Sequence, residues 1–187
     1  ANNLGEFIAL LKANPGKYSY GSGGIGSPLH LFIEMFNKEA GVTAINVPYK
    51  SINAVMMDIV AGHIAYGYVS VAAMEFVKSG KLKALGMTSL QKNPFYPEVP
   101  TLADGGLKGF EVGGIYAIAT TKGTPPAIVE KLNAAVRTAL ADPEVVAKLA
   151  KLGSQPIIQS TQEFAEVIKK DSAKWAEVIK TGNIKPD

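Results

Sequence analysis

Apolar and polar residues alternate along this chain in two rhythms. Leu4, Phe7, Ile8 and Leu11 recur at i, i+3, i+4 and i+7, which predicts a helix over 4–13, and Asn14-Pro15-Gly16 stops it. Short segments at 17–20, 42–47, 64–68 and 81–88 read as strands. Between them, helical spacing covers 28–40, 52–61 and 71–78. Ser27 before Pro28 is a good N-cap followed by a good first helical residue, and Gly41, Gly62 and Gly80 are placed as helix stops. The resulting order β-α-β-α-β-α-β predicts an α/β fold with a largely parallel sheet. Ligands of such folds sit in loops at the carboxyl ends of the strands.

Beyond Thr88 the pattern changes. Pro94, Pro97, Pro100, Gly105 and Gly106 predict a long irregular connection. Residues 111–120 read as a strand that crosses between two lobes. Gly123-Thr124-Pro125-Pro126 opens a helix that continues over 128–140, and Asp142-Pro143-Glu144 opens another that ends near Gly153. Residues 155–158 read as a short strand. Ser160 and Glu163 form a capping box for a long last helix, with Phe164, Val167, Ile168, Trp175, Val178 and Ile179 on one side. The chain therefore divides into 1–110, a nearly complete α/β unit, and 111–187, helices with too few strands for a sheet of their own.

Composition narrows the classes. The chain is 47% hydrophobic and 19% charged, which suits a globular core. No apolar run reaches the roughly 20 residues of a spanning helix. The net charge of +3 comes from lysines spread along the chain with one arginine, Arg137, and this argues against a nucleic-acid partner. Without cysteine there is no disulfide, thiolate nucleophile or iron–sulfur site, a composition compatible with the periplasm.

The chemistry concentrates in GSGGIG, Gly21 to Gly26, which matches G-x-G-x-x-G and lies between a strand and a helix. A dinucleotide site would also need an acidic residue at the end of the next strand, and Ile45-Asn46-Val47-Pro48-Tyr49 has none. A P-loop would need a lysine after Gly26, where Ser27 stands. What remains is a small-anion cradle, built from the backbone N–H groups of Gly23 to Ser27 and the hydroxyls of Ser22 and Ser27, that suits a carboxylate as well as a phosphate. A tight strand–helix turn with no ligand is the alternative. Catalytic groups are scarce. His30 lies within a helix and reads as a buried packing residue, while His63 follows a helix end. No carboxylate pair or metal-ligand spacing occurs, and Glu34 with Lys38 reads as an ordinary i, i+4 surface pair. The residues point to binding rather than catalysis, with no cofactor and no metal.

YGSGGIGSPLHL, NVPYKS, VKSGKLKALGMTS, YPEVPTLADGGLKGFE and KGTPPAIVEKLNAAVRTALADPEV, in this order, resemble the solute-binding proteins of tripartite tricarboxylate transporters, the Bug-type family. The resemblance runs from about Leu4 to Lys185. It implies a periplasmic, non-enzymatic receptor of two α/β lobes that closes on a small organic mono- or dicarboxylate and delivers it to membrane transporter subunits. It also implies that Ser22, Gly23, Gly24, Gly26 and Ser27 form the ligand loop, with His30 behind it, and that Tyr49 and Lys50 lie near the cleft. Tyr68 and Ser70 flank a position where many family members carry an acid or asparagine facing the ligand; its absence here disfavours an amino-group ligand. Gly23 replaces a serine frequent in the family, so one hydroxyl contact is lost. The family pattern further implies an N-terminal strand–helix–strand region preceding Leu4, so that 111–187 is the C-terminal half of a second lobe. A face left open by that region could form a homodimer. A receptor module that binds no solute and acts through protein contacts is the alternative of a different class.

Overall fold

The computed structural model describes residues 1–185. The chain divides into two compact units, one of Ala1–Gly114 with the segment from Glu177 on, the other of Ile115–Ala176.

In the first unit, α1 (Leu4–Ala13) starts at Asn3, whose side chain accepts the Glu6 N–H, and buries Leu4, Phe7 and Leu11 at the expected spacing. Three short parallel strands follow: β1 (Ser19–Ser22), β2 (Ile45–Pro48) and β3 (Tyr66–Gly67). They lie in the order β2-β1-β3, with Ser22 opposite Pro48 and Gly21 opposite Gly67. Placing the first strand in the middle requires crossovers, and two helices supply them. Helix α2 (Pro28–Ala40) begins at Ser27 and ends at Gly41 in the left-handed region. Helix α3 (Ile52–Ala61) is capped by Ser51 and ends at Gly62, also left-handed.

These helices cover opposite faces of the sheet, since neighbouring strand residues point opposite ways. Tyr20 of β1 meets α2, where its hydroxyl donates to Glu34 (2.5 Å). Gly21 meets α3, where a Cβ would stand 2.6 Å from Val55 Cγ1. Gly67 is bare for the same reason, a Cβ there lying 2.8 Å from the same methyl. Without side chains at these two positions, Val55 seats directly on the strand backbones and is fully buried. Burial of such a side chain stabilises by about 1.5–3 kcal/mol. On the α2 face, Phe7 and Phe36 pack edge-on against Tyr66, and Phe36 against Phe110. Glu34 does not pair with Lys38 at the surface. It turns inward to Tyr20 and Asn37, while Lys38 donates to Thr181.

The remaining expected strands do not form ladders. Residues 81–88 make one parallel bridge, Met87 to Thr101, and accept one bond from the Val112 N–H at the Thr88 carbonyl, while the Lys81 and Leu82 N–H groups turn back to the Phe76 carbonyl. The helix expected over 71–78 is a 3-10 turn, Val71–Ala73, running into α4 (Met74–Lys78). Residues 111–120 and 155–158 are not in strands. A strand needs a neighbour to take its N–H and C=O groups, and among the described residues neither run forms a ladder, the single Val112–Thr88 bond not extending into one. Their apolar side chains stand out accordingly: Tyr116 is 94% exposed, and Ile118 and Ile157 are also exposed.

The second unit holds α5 (Pro126–Ala141), α6 (Pro143–Lys151) and most of α7 (Thr161–Thr181). The capping box forms as expected, Ser160 Oγ accepting the Glu163 N–H and the Glu163 carboxylate accepting the Ser160 N–H (2.8 Å). Asn133 donates to the Gln159 carbonyl and ties the start of α7 to α5. Of the apolar side expected on α7, Val178 is buried but Ile168 and Ile179 are exposed. Val178 and Ile184 are buried within the first unit. Among the described residues no helix is long and apolar enough to cross a membrane.

Candidate functional site

The carboxyl ends of β1, β2 and β3 lie side by side, so three loops meet there: Ser22–Ser27, Tyr49–Ser51 and Tyr68–Ser70. All nine sequence-predicted site residues fall on these loops or at the strand end that leads into them. A bond from the Tyr49 N–H to the Ser22 carbonyl (2.8 Å) joins the first two.

The glycine loop is braced from within. Gly24 donates its N–H to Ser22 Oγ (3.2 Å), and Ser27 donates its own to the Gly24 carbonyl (3.1 Å). Gly26 donates to Nδ1 of His30 (3.1 Å), while Ser27 Oγ accepts the His30 N–H (3.3 Å). The pair is a variant of the capping box: His30 stands where Glu or Gln usually does, but its ring accepts the N–H of Gly26, one residue before the Ser27 cap. It requires Nδ1 to be an acceptor, which places the proton of the neutral ring on Nε2. Burial lowers the His30 pKa and favours that neutral ring, opposed by the nearby Glu34 carboxylate. His30 is 7% exposed and stacks on Tyr20. Its reading as a buried, hydrogen-bonded residue holds, and its partner is the loop itself.

Each glycine but one has a structural reason. Gly21 makes room for Val55. Gly24 and Gly26 have φ of +103° and +77°, which side chains with a Cβ rarely adopt. Gly23 alone has neither a positive φ nor a hard clash, the nearest atom to a Cβ being Ser27 Oγ at 3.2 Å. The internal bonds use the N–H groups of Gly24, Gly26 and Ser27. Among the described residues, the N–H groups of Gly23 and Ile25 have no internal acceptor. The expected cradle of successive N–H groups therefore narrows to two donors ahead of the α2 N-terminus, whose dipole favours an anion. Ser22 is fully buried with its oxygen engaged, so it and Gly26 hold the loop's shape.

Tyr49 is half-buried, and its hydroxyl donates to Asp58 of α3 (2.6 Å). His63 Nδ1 lies 3.3 Å from the other Asp58 oxygen. The bond to Asp58 raises the Tyr49 pKa to about 12, and the same bond, followed by the one with His63, lowers that of Asp58. This Tyr–Asp–His chain joins residues that sequence spacing did not connect. Asp58 and His63 are close in sequence, but nothing in the pattern shows α3 returning to Tyr49. Lys50 is exposed, as is Ser70 at the head of the 3-10 turn. Tyr68 is half-buried with its ring edge-on to Phe32 (5.1 Å). No cluster of metal-ligating side chains occurs among the described residues.

Residues 1–184 match the family described as tripartite tricarboxylate transporter family receptor. The chain belongs to this family. It is a family of solute-binding receptors, not of enzymes. A protein from the tcbD-tcbE intergenic region of Pseudomonas sp. is 37% identical over 93% of this chain and 53% of its own. Protein BugT of Bordetella pertussis is 31% identical over 96% of this chain and 55% of its own. The chain thus spans about half the length of these curated relatives. Among solved structures, an R. palustris protein with adipate superposes with a TM-score of 0.86 at 27% identity, over all of this chain and 63% of that one. The periplasmic binding protein BugD gives 0.76 at 30% identity, over 100% and 64%. Rhodopseudomonas palustris MatC with bound malate gives 0.75 at 28% identity, over 95% and 62%. The α/β fold with a parallel sheet is that of these periplasmic binding proteins.

Proposed function

We propose that this chain is the solute-recognising part of an extracytoplasmic, periplasmic receptor for a small mono- or dicarboxylate, which it passes to the membrane subunits of a tripartite tricarboxylate-type transporter. The observation that carries this reading is the pair of unpartnered N–H groups, Gly23 and Ile25, on a braced loop at the mouth of a helix N-terminus. A carboxylate has two oxygens and accepts two such donors. Ser27, whose oxygen accepts from His30, still has a hydroxyl proton to donate. Lys50 supplies a positive charge, and Tyr49, Tyr68 and Ser70 border the same edge. Gly24, with Ser22 and Gly26, sets the geometry. Relatives solved with adipate and malate support the ligand class.

Isothermal titration of the chain with adipate and malate, with NAD as control, tests the reading. Binding of either acid with no NAD heat is expected. Binding of NAD with no binding of an acid would refute it. Failure of both would favour a module that works through protein contacts.

A further inference from the structure

One side chain at the site was not among the residues singled out by sequence. Ile25 lies in the glycine loop, its own N–H being one of the two unpartnered donors, and its residue is 47% exposed. Positions 22–24, 26 and 27 of this loop are all glycine or serine. A lone exposed isoleucine elsewhere on a surface carries no message. Here it borders the place where a carboxylate would be held, and it shares a cavity wall in which apolar Ala44 and Ile184 alternate with polar Asn46 and Asn183. Ile25 is part of the wall of an open cavity of about 370 Å³ that also includes Tyr20, His30 and Ile184, and whose charged groups, Glu34 and Lys185, have opposite signs.

Charge points the same way. Across the loops 22–27, 49–51 and 68–70 the only charged residue is Lys50. The Asp58 carboxylate that reaches Tyr49 adds a negative charge. Lys50 and Asp58 together carry no net charge, so the N–H dipoles must hold a first carboxylate, and each further carboxylate of a tri-anion loses water without a cation of its own.

We propose that Ile25 is a specificity-determining residue that selects carboxylates with an unbranched aliphatic chain and at most two carboxyl groups, against tricarboxylates. This rests on the carboxylate reading above. The chain of the ligand covers the exposed part of Ile25 while the adjacent N–H groups hold the carboxylate.

The test is titration of the chain and of Ile25→Ser and Ile25→Val with propionate, hexanoate and citrate. The three added methylenes should give hexanoate about tenfold or more over propionate in the unaltered protein. Citrate should bind more weakly than hexanoate. Ile25→Ser should lower hexanoate affinity about fivefold and propionate affinity less than about twofold, and Ile25→Val should retain most of the hexanoate preference. Equal affinity for propionate and hexanoate, tighter binding of citrate, or an equal loss for both acids in Ile25→Ser would overturn the proposal while leaving the carboxylate reading intact. If no acid binds, the carboxylate reading itself fails, and the selectivity falls with it.

Discussion

Replacing His30 by phenylalanine tests how the glycine loop is held. Phenylalanine keeps a ring against Tyr20 but removes the acceptor for the Gly26 N–H, which the histidine holds at 3.1 Å. The Ser27 bond to the position-30 N–H is unaffected, because it uses backbone. Gly26 is half-buried, so its orphaned N–H is only partly rescued by water, and a loss of about 1–2 kcal/mol is expected. For a chain of this size that lowers the midpoint by about 2–8 °C. The readout is thermal unfolding followed by near-ultraviolet circular dichroism of the tyrosines, since Tyr20 and Tyr66 lie in the affected core. Acid gives a second signature. The folded His30 pKa is lowered by burial, so the unfolded chain binds more protons as pH falls. Stability of the natural protein from this group is therefore constant above about pH 6.5, declines as pH falls below that value, and levels off below the folded pKa. His30→Phe should lose that part of the decline. His30→Gln, whose amide oxygen can accept the Gly26 N–H, should recover part of the stability without the pH dependence. If His30→Phe matches the natural protein in midpoint and in pH profile, the histidine does not brace the loop.

Three more expectations follow from particular contacts. Gly21→Ala drives a methyl to 2.6 Å from Val55 and should cost about 1–3 kcal/mol in urea unfolding, with Val55→Ala in the same chain restoring part of the loss. Asp58→Asn removes the carboxylate that holds the Tyr49 hydroxyl, so the Tyr49 phenol, at about 12 in the natural protein, should titrate nearer its ordinary value of about 10 in ultraviolet difference spectra. Ser160→Ala removes the cap of α7 and should cost about 1 kcal/mol, seen as faster amide exchange at Glu163 and Phe164.

The helices of this fold are written locally, and the sequence showed them well. Leu4, Phe7 and Leu11 lie on the buried side of α1, Ser27 and Ser51 cap where a cap is expected, and Gly41 and Gly62 end helices in the left-handed region. Strands depend on partners far along the chain. The runs 81–88, 111–120 and 155–158 have the composition of strands, yet find no adjacent ladder among the described residues. At the site, the position of the glycine loop was legible because one strand, one cap and one helix define it. Its donors were not. Which N–H groups remain free depends on the side chain of His30 reaching back to Gly26 and on Ser22 turning under Gly24. The Tyr49–Asp58–His63 chain depends on how α3 packs beside β2's end, which no local pattern encodes. Glu34 illustrates the same limit. Its spacing from Lys38 suits a surface pair, but Tyr20 and Asn37 offer it two donors in the interior.

The most direct test of the central claim is amide mapping of the isotopically labelled chain during titration with adipate. If the loop holds a carboxylate through its two unpartnered donors, the Gly23 and Ile25 amides show the largest saturable shifts, while Gly24 and Gly26, already bonded within the protein, shift less. Saturable shifts centred away from the three loops, or none at millimolar acid in a folded chain, would contradict the account.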